Sequence, residues 1–214
     1  MAQIVIAARA GTEAKTRLAG VMSAPDRAAL TEAMLADMLD ALAGQIDSVW
    51  VVTPTDALAH LAVRHGARVL RQTEPTGLNG AFDLALTFLR ERAPYDPVAL
   101  LVGDLPLLAA GDLEAAISLA GAHDVVLVPA FSDGGTGAIV LRAGVRFDLA
   151  FGGDSFRRHV AAARRLRLST AVVEANSLGL DVDRPEDFRA ILTRGPTTRT
   201  AAFLRARLRE RSDP

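Results

Sequence analysis

A continuous apolar run, Ala-Leu-Leu-Val at residues 99–102, is followed directly by Gly103 and Asp104, and Pro106 comes two residues later. Four consecutive apolar residues are typical of a strand buried on both faces, as in a parallel sheet covered by helices. Open parallel sheets bind ligands beyond the carboxyl ends of their strands. Asp104 therefore has two interpretations. It is a ligand for a hard cation that accompanies substrate phosphates, or it caps the next helix.

Similar short apolar runs recur along the chain, and helical patterns separate most of them. This alternation predicts an α/β fold with three layers, in which a mostly parallel central sheet lies between helices. The chain has 214 residues, half of them apolar, so it can bury a substantial core. We expect one domain over residues 1–214, with a C-terminal docking helix from about residue 197.

Composition excludes several classes of protein. The net charge of −1 provides no basic field for bulk nucleic-acid binding, and the chain contains no cysteine for disulfides or thiolate chemistry. A metal would be held by oxygen or imidazole ligands, and oxygen ligands favour magnesium or manganese. No signal peptide or membrane-spanning run is present, so we expect a cytoplasmic protein without a membrane partner. Nothing in the sequence indicates an oligomeric state.

A small-residue loop with three cations, Arg9, Lys15 and Arg17, follows the first predicted strand, residues 3–8. Cations and backbone N–H groups in such a loop can meet phosphates. The loop has the glycine spacing of neither a Walker motif nor a dinucleotide fingerprint. A solvated surface is the alternative interpretation.

Two later segments are rich in glycine. The turn at residues 133–137 surrounds Thr136 with three glycines, which predicts bare backbone for close approach of a ligand. The turn at residues 151–156 opens a helix at Ser155, and cations in its first turn would be offset by an anion at the free N–H groups. His159, on the same helix, is either a third donor to that anion or a residue at the rim of the site, and we favour the rim.

Two further polar segments each allow two interpretations. Asn79 lies in a turn-rich segment, residues 71–81, and either caps the following helix or reads a base edge together with the backbone of Gly77 and Gly80. Residues 178–183 read as a strand with Asp181 and Asp183 on one face, roughly 7 Å apart. Asp183 is alternatively the cap of the next helix. Separated carboxylates with nearby cations fit a magnesium-dependent phosphoryl or nucleotidyl transfer.

Seven short motifs, spread nearly end to end, make the sequence similar to one family. This family is the guanylyltransferases that activate a small phosphorylated acid for the side chain of a deazaflavin coenzyme. The motifs are Ala-Lys-Thr-Arg-Leu (14–18), Gly-Leu-Asn (77–79), Gly-Asp-Leu-Pro (103–106), Asp-Gly-Gly-Thr-Gly (133–137), Phe-Gly-Gly-Asp-Ser-Phe (151–156), Leu-Asp-Val-Asp-Arg-Pro-Glu-Asp (180–187) and Gly-Pro (195–196). The two glycine turns point most specifically to this family. Arg9 is a departure, because we expect lysine there.

The resemblance implies a Rossmann-like, glycosyltransferase-A-like nucleotidyltransferase fold and a role for each site residue. The implied catalytic residues are Lys15, Arg17 and Asp104; the metal ligands are Asp104, Asp181 and Asp183; the nucleotide-binding residues are Arg9, Lys15, Gln72, Thr73, Gly77 and Asn79; the acceptor-binding residues are Thr136, Gly152 and Ser155. Magnesium, or manganese, would be held against the triphosphate of GTP. The acceptor phosphate would attack the α-phosphorus and release pyrophosphate.

The resemblance leaves the acceptor open among phosphoenolpyruvate, 2-phospholactate and 3-phosphoglycerate. We favour phosphoenolpyruvate, because the overall pattern resembles the bacterial members. One alternative is a nucleotidyltransferase that acts on a sugar phosphate or a molybdenum cofactor. Another is a nucleotide-binding regulatory domain without turnover.

Overall fold

The computed structural model describes residues 1–9, 15–74, 76–131 and 134–210. Seven strands form one sheet, and they are β1 Gln3–Ala7, β2 Val49–Thr53, β3 Arg68–Arg71, β4 Val98–Val102, β5 Val125–Pro129, β6 Thr136–Leu141 and β7 Thr170–Val172. The helices are α1 Ala24–Ala41, α2 Asp56–Arg64, α3 Gly77–Arg92, α4 Ala110–Leu119, α5 Ser155–Arg165, α6 Asn176–Gly179, α7 Asp187–Arg194 and α8 Arg199–Glu210. Two 3-10 helices, Thr16–Leu18 and Ala43–Ser48, flank α1. Within the described residues, no helix combines the length and apolar character needed to cross a bilayer.

The sheet has the order β3-β2-β1-β4-β6-β5-β7. Strand β6 runs antiparallel to its neighbours β4 and β5, and the other neighbouring pairs are parallel. The predicted mostly parallel sheet is therefore confirmed. The chain leaves β1 towards β2 on one side and later returns to β4 on the other, which makes the β1/β4 boundary a topological switch point.

Helices cover both faces of the sheet, because the central strands carry apolar side chains on both faces. Alternate residues of β1 show this: Ile4 and Ile6 belong to the core shared with α1, α2 and α4, whereas Val5 packs in the core shared with α3 and α5. The five residues of β1 and of β2 are all buried. The three-layer prediction is thus confirmed.

A third apolar cluster joins the first 3-10 helix and α1 to the C-terminal helices α7 and α8. Ser23 caps α1 by accepting a hydrogen bond from Asp26 N. Near the other end of α1, the buried Asp37 carboxylate accepts hydrogen bonds from the backbone N–H and hydroxyl of Thr200, at 2.9 and 2.6 Å. These contacts fix the start of α8 against α1.

Candidate active site

A cavity of about 480 Å3 opens where β1 and β4 end and β6 begins. It therefore lies at the switch point of the sheet, where open α/β sheets bind ligands. Gly103 allows the chain to leave β4 close to β1: a Cβ there would lie 2.7 Å from the carbonyl oxygen of Ala7. Because β6 is antiparallel to β4, its first residue, Thr136, reaches the same edge.

One end of the cavity holds a cluster of opposite charges. The ammonium of Lys15 forms a short ion pair with Asp104 and lies 3.6 Å from Oδ1 of Asp183. Arg17 pairs with the other carboxylate oxygen of Asp183. Lys15 is 10% exposed and Arg17 50% exposed, so the lysine is the inner cation of the two. The alternative interpretation, in which the basic loop is a solvated surface, is therefore wrong for Lys15.

The Lys15 ammonium is held in its charged form by this cluster. Burial opposes the charge on Lys15, but Asp104, Asp183 and Asp181 together outweigh that penalty and raise its pKa above the ordinary value. The Lys15 backbone is left-handed, with φ of 52°, at the start of the 3-10 helix that carries Arg17. A local turn thus places both cations at the cavity.

The segment with the late acid pair is not the predicted strand. Residues Asn176–Gly179 form α6 instead, and the chain from 180 to 183 runs irregularly past β4. The N–H of Val182 donates to the carbonyl oxygen of Asp104, at 3.2 Å, and its side chain is fully buried. Asp181 and Asp183, on either side of it, both line the cavity. The prediction that the two carboxylates serve one site is compatible with this placement, although no sheet produces it.

Neither Asp104 nor Asp183 caps a helix, although a helix cap was the alternative interpretation of each. Helix α4 begins six residues beyond Asp104, with Ala109 at its N-cap. Before α7 the relation is reversed: the carboxylate of Asp187 accepts hydrogen bonds from the N–H groups of Asp183 and Arg184, at 2.8 and 2.7 Å. The carboxylates of Asp104 and Asp183 are therefore available to the cavity.

Asp104 has an unused oxygen. Its Oδ1 is buried and has no hydrogen-bond partner among the described residues. An unpaired carboxylate oxygen in a cavity fits a hard cation, which prefers oxygen ligands. In the described part of the chain, no three His, Asp or Glu side chains lie close enough together to hold a metal ion by themselves.

The other end of the cavity is formed by the two glycine turns. Thr136, Gly152 and Ser155 line it, and the hydroxyls of Thr136 and Ser155 are 3.2 Å apart. Gly152 has φ of 120°, which favours glycine at this turn. These three residues are brought together as the sequence predicted.

The start of α5 is less open than expected. The N–H of Ser155 donates to the carbonyl of Gly152, and that of Phe156 donates to the carbonyl of Gly134, both at 3.1 Å. Arg158, one of the cations in this first turn, already has a partner, because it donates to the carbonyl oxygen of Ala150 at 2.8 Å. The prediction of free N–H groups is therefore wrong for Ser155 and Phe156.

His159 is not a rim residue. Its side chain is fully buried, between hydrogen bonds to Thr136 Oγ1 and Ala150 N, both at 2.9 Å. Burial, with a smaller contribution from the charge of Arg158, lowers the pKa of His159 from 6.5 to about 4. The spacing of Ser155 and His159, four residues apart on one helix, could have indicated a shared face.

The glycines of the first turn serve chain packing as well as the cavity, which Gly135 and Gly137 line. A Cβ on Gly137 would lie 1.9 Å from the carbonyl oxygen of Leu178, so this glycine allows α6 to pack on β6. Gly134 has φ of 69° and makes the turn itself. Asp133 in this motif, like Ala14 in the basic-loop motif, lies outside the described residues.

Four of the residues predicted to bind the nucleotide do not line the cavity, and they are Gln72, Thr73, Gly77 and Asn79. Gln72 is buried and donates to Thr76 Oγ1 and Gly77 O, at 3.0 and 3.1 Å, so it supports the start of α3. Thr73 is exposed. Asn79, in the first turn of α3, donates to Phe151 O at 3.2 Å and accepts from Phe151 N at 2.7 Å.

The structure thus brings together most of the predicted site. The predicted residues that line the cavity are Arg9, Lys15, Arg17, Asp104, Thr136, Gly152, Ser155, Asp181 and Asp183. The lining also includes Thr31 of α1 and Leu78 of α3, neither of which the sequence had indicated as a site residue. The cavity has cations and carboxylates at one end and hydroxyls at the other, so it can accept a polyphosphate and a second anionic group together.

Comparison with known proteins gives one family. Residues 2–210 match the family model described as "Guanylyl transferase CofC like". A 3-phospho-D-glycerate guanylyltransferase from Phenylobacterium zucineum is 51% identical over 99% of this chain and 98% of its own length. A phosphoenolpyruvate guanylyltransferase from Mycolicibacterium gilvum is 40% identical over 92% of this chain and 93% of its own.

Solved structures give the fold. A Desulfovibrio desulfuricans structure, provisionally assigned as a nucleotide-diphospho-sugar transferase, superposes with a TM-score of 0.74 over 98% of each chain, at 23% identity. This likeness confirms the predicted Rossmann-like, glycosyltransferase-A-like nucleotidyltransferase fold. The sequence match covers nearly the whole chain, and we conclude that the chain belongs to the CofC-like guanylyltransferase family.

Proposed function

We propose that this protein transfers GMP from GTP to the phosphate of a small phosphorylated carboxylic acid and releases pyrophosphate. The observation that carries the proposal is the cavity itself, in which Lys15, Asp104 and Asp183 form one end and Thr136 and Ser155 the other. The charged end suits a triphosphate, and the hydroxyl end suits the acid. Family membership supports guanine as the base.

The proposed reaction needs no general base. A phosphate monoester is already anionic at neutral pH, so one of its oxygens can attack the α-phosphorus of GTP directly. A bond forms between that oxygen and the α-phosphorus, and the bond from the α-phosphorus to the oxygen bridging to the β-phosphorus breaks. The electron pair leaves with pyrophosphate. Positioning and charge stabilisation then supply the catalysis, as in other phosphoryl transfers.

Lys15 is the residue best placed to stabilise the charge. Its ammonium is buried, positively charged and fixed by Asp104 and Asp183, so it needs little reorganisation when a polyphosphate binds. Arg17 is more exposed and lies at the mouth of the same cluster. We assign Lys15 to the reacting phosphates and Arg17 to the departing pyrophosphate.

Magnesium, or manganese, fits the carboxylate end of the cavity. The unpaired Oδ1 of Asp104 offers one oxygen ligand, and Asp181 and Asp183 line the same cavity. Magnesium is commonly held by one or two carboxylates together with substrate phosphates. This agrees with the described residues, among which no three acidic or histidine side chains are close enough to hold an ion without the substrate. When bound, the ion would offset negative charge on the triphosphate and orient it.

The first acceptor to test is 3-phospho-D-glycerate, because the relative of that name shares 51% of its residues with this chain. Phosphoenolpyruvate, which the sequence alone favoured, is the second candidate, because the phosphoenolpyruvate guanylyltransferase from Mycolicibacterium gilvum is 40% identical to this chain. Either product would be a guanylylated diphosphate with a carboxylate, suited to transfer of the acid onto a deazaflavin precursor.

The test is pyrophosphate release by the purified protein with GTP, magnesium and each acid in turn, with a sugar phosphate as the alternative acceptor and with ATP and CTP as control nucleotides. We expect release with GTP and one acid. Asp104→Asn should reduce kcat by at least about a hundredfold, because removal of one charge-stabilising group typically costs that much. Asp56→Asn, at a helix start outside the cavity, should retain wild-type turnover.

Two outcomes would overturn the proposal. Release only with a sugar phosphate would indicate a nucleotidyltransferase of another specificity. GTP binding without turnover on any acid would indicate a regulatory domain.

A further inference from the structure

Three polar side chains lie buried together at the hydroxyl end of the cavity. Thr136 is 4% exposed, Ser155 is 1% exposed and His159 is fully buried. The imidazole packs against Phe147 and Phe151, with ring centroids 5.8 and 5.0 Å away. A polar ring in such apolar surroundings needs its hydrogen bonds satisfied, so their directions are informative.

The hydrogen bonds of His159 define its tautomer. Ala150 N–H lies 2.9 Å from Nε2, and a backbone N–H can only donate, so Nε2 carries no proton. The neutral imidazole therefore keeps its proton on Nδ1 and donates it to Thr136 Oγ1, 2.9 Å away. The low pKa of His159 agrees with a ring that stays neutral at neutral pH.

This tautomer determines what the two hydroxyls can offer. Thr136 Oγ1 accepts the imidazole hydrogen, and the 3.2 Å contact between Thr136 and Ser155 uses the hydrogen of one hydroxyl, whichever of the two donates. The hydrogen of the other hydroxyl is left over. Both residues line the cavity, so the pair has a hydrogen to donate to a bound group.

The same imidazole also holds the backbone segment that leads into Gly152. Its Nε2 fixes the N–H of Ala150, while Arg158 and Asn79 fix the neighbouring carbonyl of Ala150 and both backbone groups of Phe151. Gly152, which follows immediately, lines the cavity. One buried ring therefore connects the hydroxyl pair to the glycine turn.

We propose that His159 is a positioning residue that makes the Thr136–Ser155 pair a hydrogen-bond donor to the anionic acid. The inference rests on the proposed function, because it assumes that the acid binds at this end. His159 does not line the cavity and does not transfer a proton. A histidine that merely filled the core would stabilise the fold without affecting one substrate more than the other.

Four variants separate these roles. In H159N the amide nitrogen of the new side chain is as many bonds from Cα as Nδ1 of the imidazole, so this variant can keep the donor to Thr136. The longer amide of H159Q reaches as far as Nε2, so this variant can keep the acceptor for Ala150 and loses the donor. T136S keeps the hydroxyl, and T136V removes it at nearly constant volume.

The kinetic readout is KM for each substrate. We expect H159Q and T136V to raise KM for the acid about tenfold, the effect of one lost hydrogen bond of about 1.4 kcal/mol. KM for GTP should change by less than about twofold. H159N and T136S should each raise KM for the acid by less than H159Q and T136V do, because H159N keeps the donor to Thr136 and T136S keeps the hydroxyl. Equal effects on the two KM values, or no effect of H159Q on the acid, would overturn the inference.

A second measurement does not depend on turnover. Nitrogen-15 NMR of the wild-type imidazoles, with the His159 signals identified by their absence in H159N, distinguishes the two neutral tautomers from the charged ring. We expect a protonated Nδ1 and an unprotonated Nε2; the opposite tautomer or a charged ring would overturn the inference. Wild-type protein inactive on every acid would refute the proposed function, whereas an active protein with an unaffected H159Q would refute only the role of His159.

Discussion

Acidification should destabilise this protein through His159, because the pKa of this side chain differs between the folded and the unfolded chain. The unfolded chain binds a proton at this histidine below a pKa of about 6.5, whereas burial and Arg158 lower the pKa in the folded state to about 4. Stability from the neutral ring is therefore fully present above about pH 6.5 and is lost progressively as the pH falls towards 4. The difference in pKa corresponds to about 3 kcal/mol between pH 7 and pH 4.

The assay is reversible urea unfolding of wild type and H159N at pH 7, 5.5 and 4. Carboxylates also titrate in this range, but they contribute equally to both proteins, so the difference between the two unfolding free energies isolates His159. We expect that difference to change by about 3 kcal/mol in favour of the variant at pH 4. H60Q, at an exposed histidine of α2, should follow the wild-type curve. A difference between wild type and H159N that is constant with pH would refute the buried neutral imidazole.

Two further predictions concern backbone packing at Gly137 and the backbone at residues 150–152, which leads into the second glycine turn. Gly137→Ala should lower the free energy of unfolding by about 1–3 kcal/mol, since its Cβ would meet the carbonyl oxygen of Leu178. Gly111→Ala is the control, because a Cβ at this position of α4 lies in open space and should not destabilise the protein. Equal urea midpoints for the two variants would contradict the packing argument. Asn79→Ala should raise KM for the acid more than KM for GTP, because both amide atoms of Asn79 bind the backbone of Phe151, next to Gly152 in the cavity. A selective effect on KM for GTP in steady-state kinetics would instead support the predicted role of Asn79 in nucleotide binding.

The sheet was predictable because its strands are buried on both faces. Runs such as residues 99–102 leave few alternatives to a covered parallel sheet, and Asp104 at the end of such a strand falls at the ligand-binding edge by geometry alone. The sequence pattern identified Lys15 as a candidate but could not predict its contacts. Its ion-pair partners, Asp104 and Asp183, lie 89 and 168 positions away along the chain. Only the family resemblance connected these residues in advance.

The errors in the sequence interpretation share a physical cause, which is tertiary contact. Alternation at residues 178–183 resembles a strand, but the Val182 N–H pairs with the carbonyl of Asp104 and α6 forms beside β6. His159 was expected at the rim, and only the packing of α5 against the sheet shows that it faces inward. Asn79 reaches Phe151, 72 residues away, which no local pattern encodes.

The central claim is that an oxygen of the acid's phosphate attacks the α-phosphorus of GTP. The most direct test uses the phosphorylated acid with oxygen-18 in its phosphate group, followed by mass spectrometry and phosphorus NMR of both products. We expect all of the label in a guanylylated diphosphate of the acid, including its bridging oxygen, and none in the released pyrophosphate. Labelled pyrophosphate, or release of GMP in place of pyrophosphate, would contradict the proposed reaction.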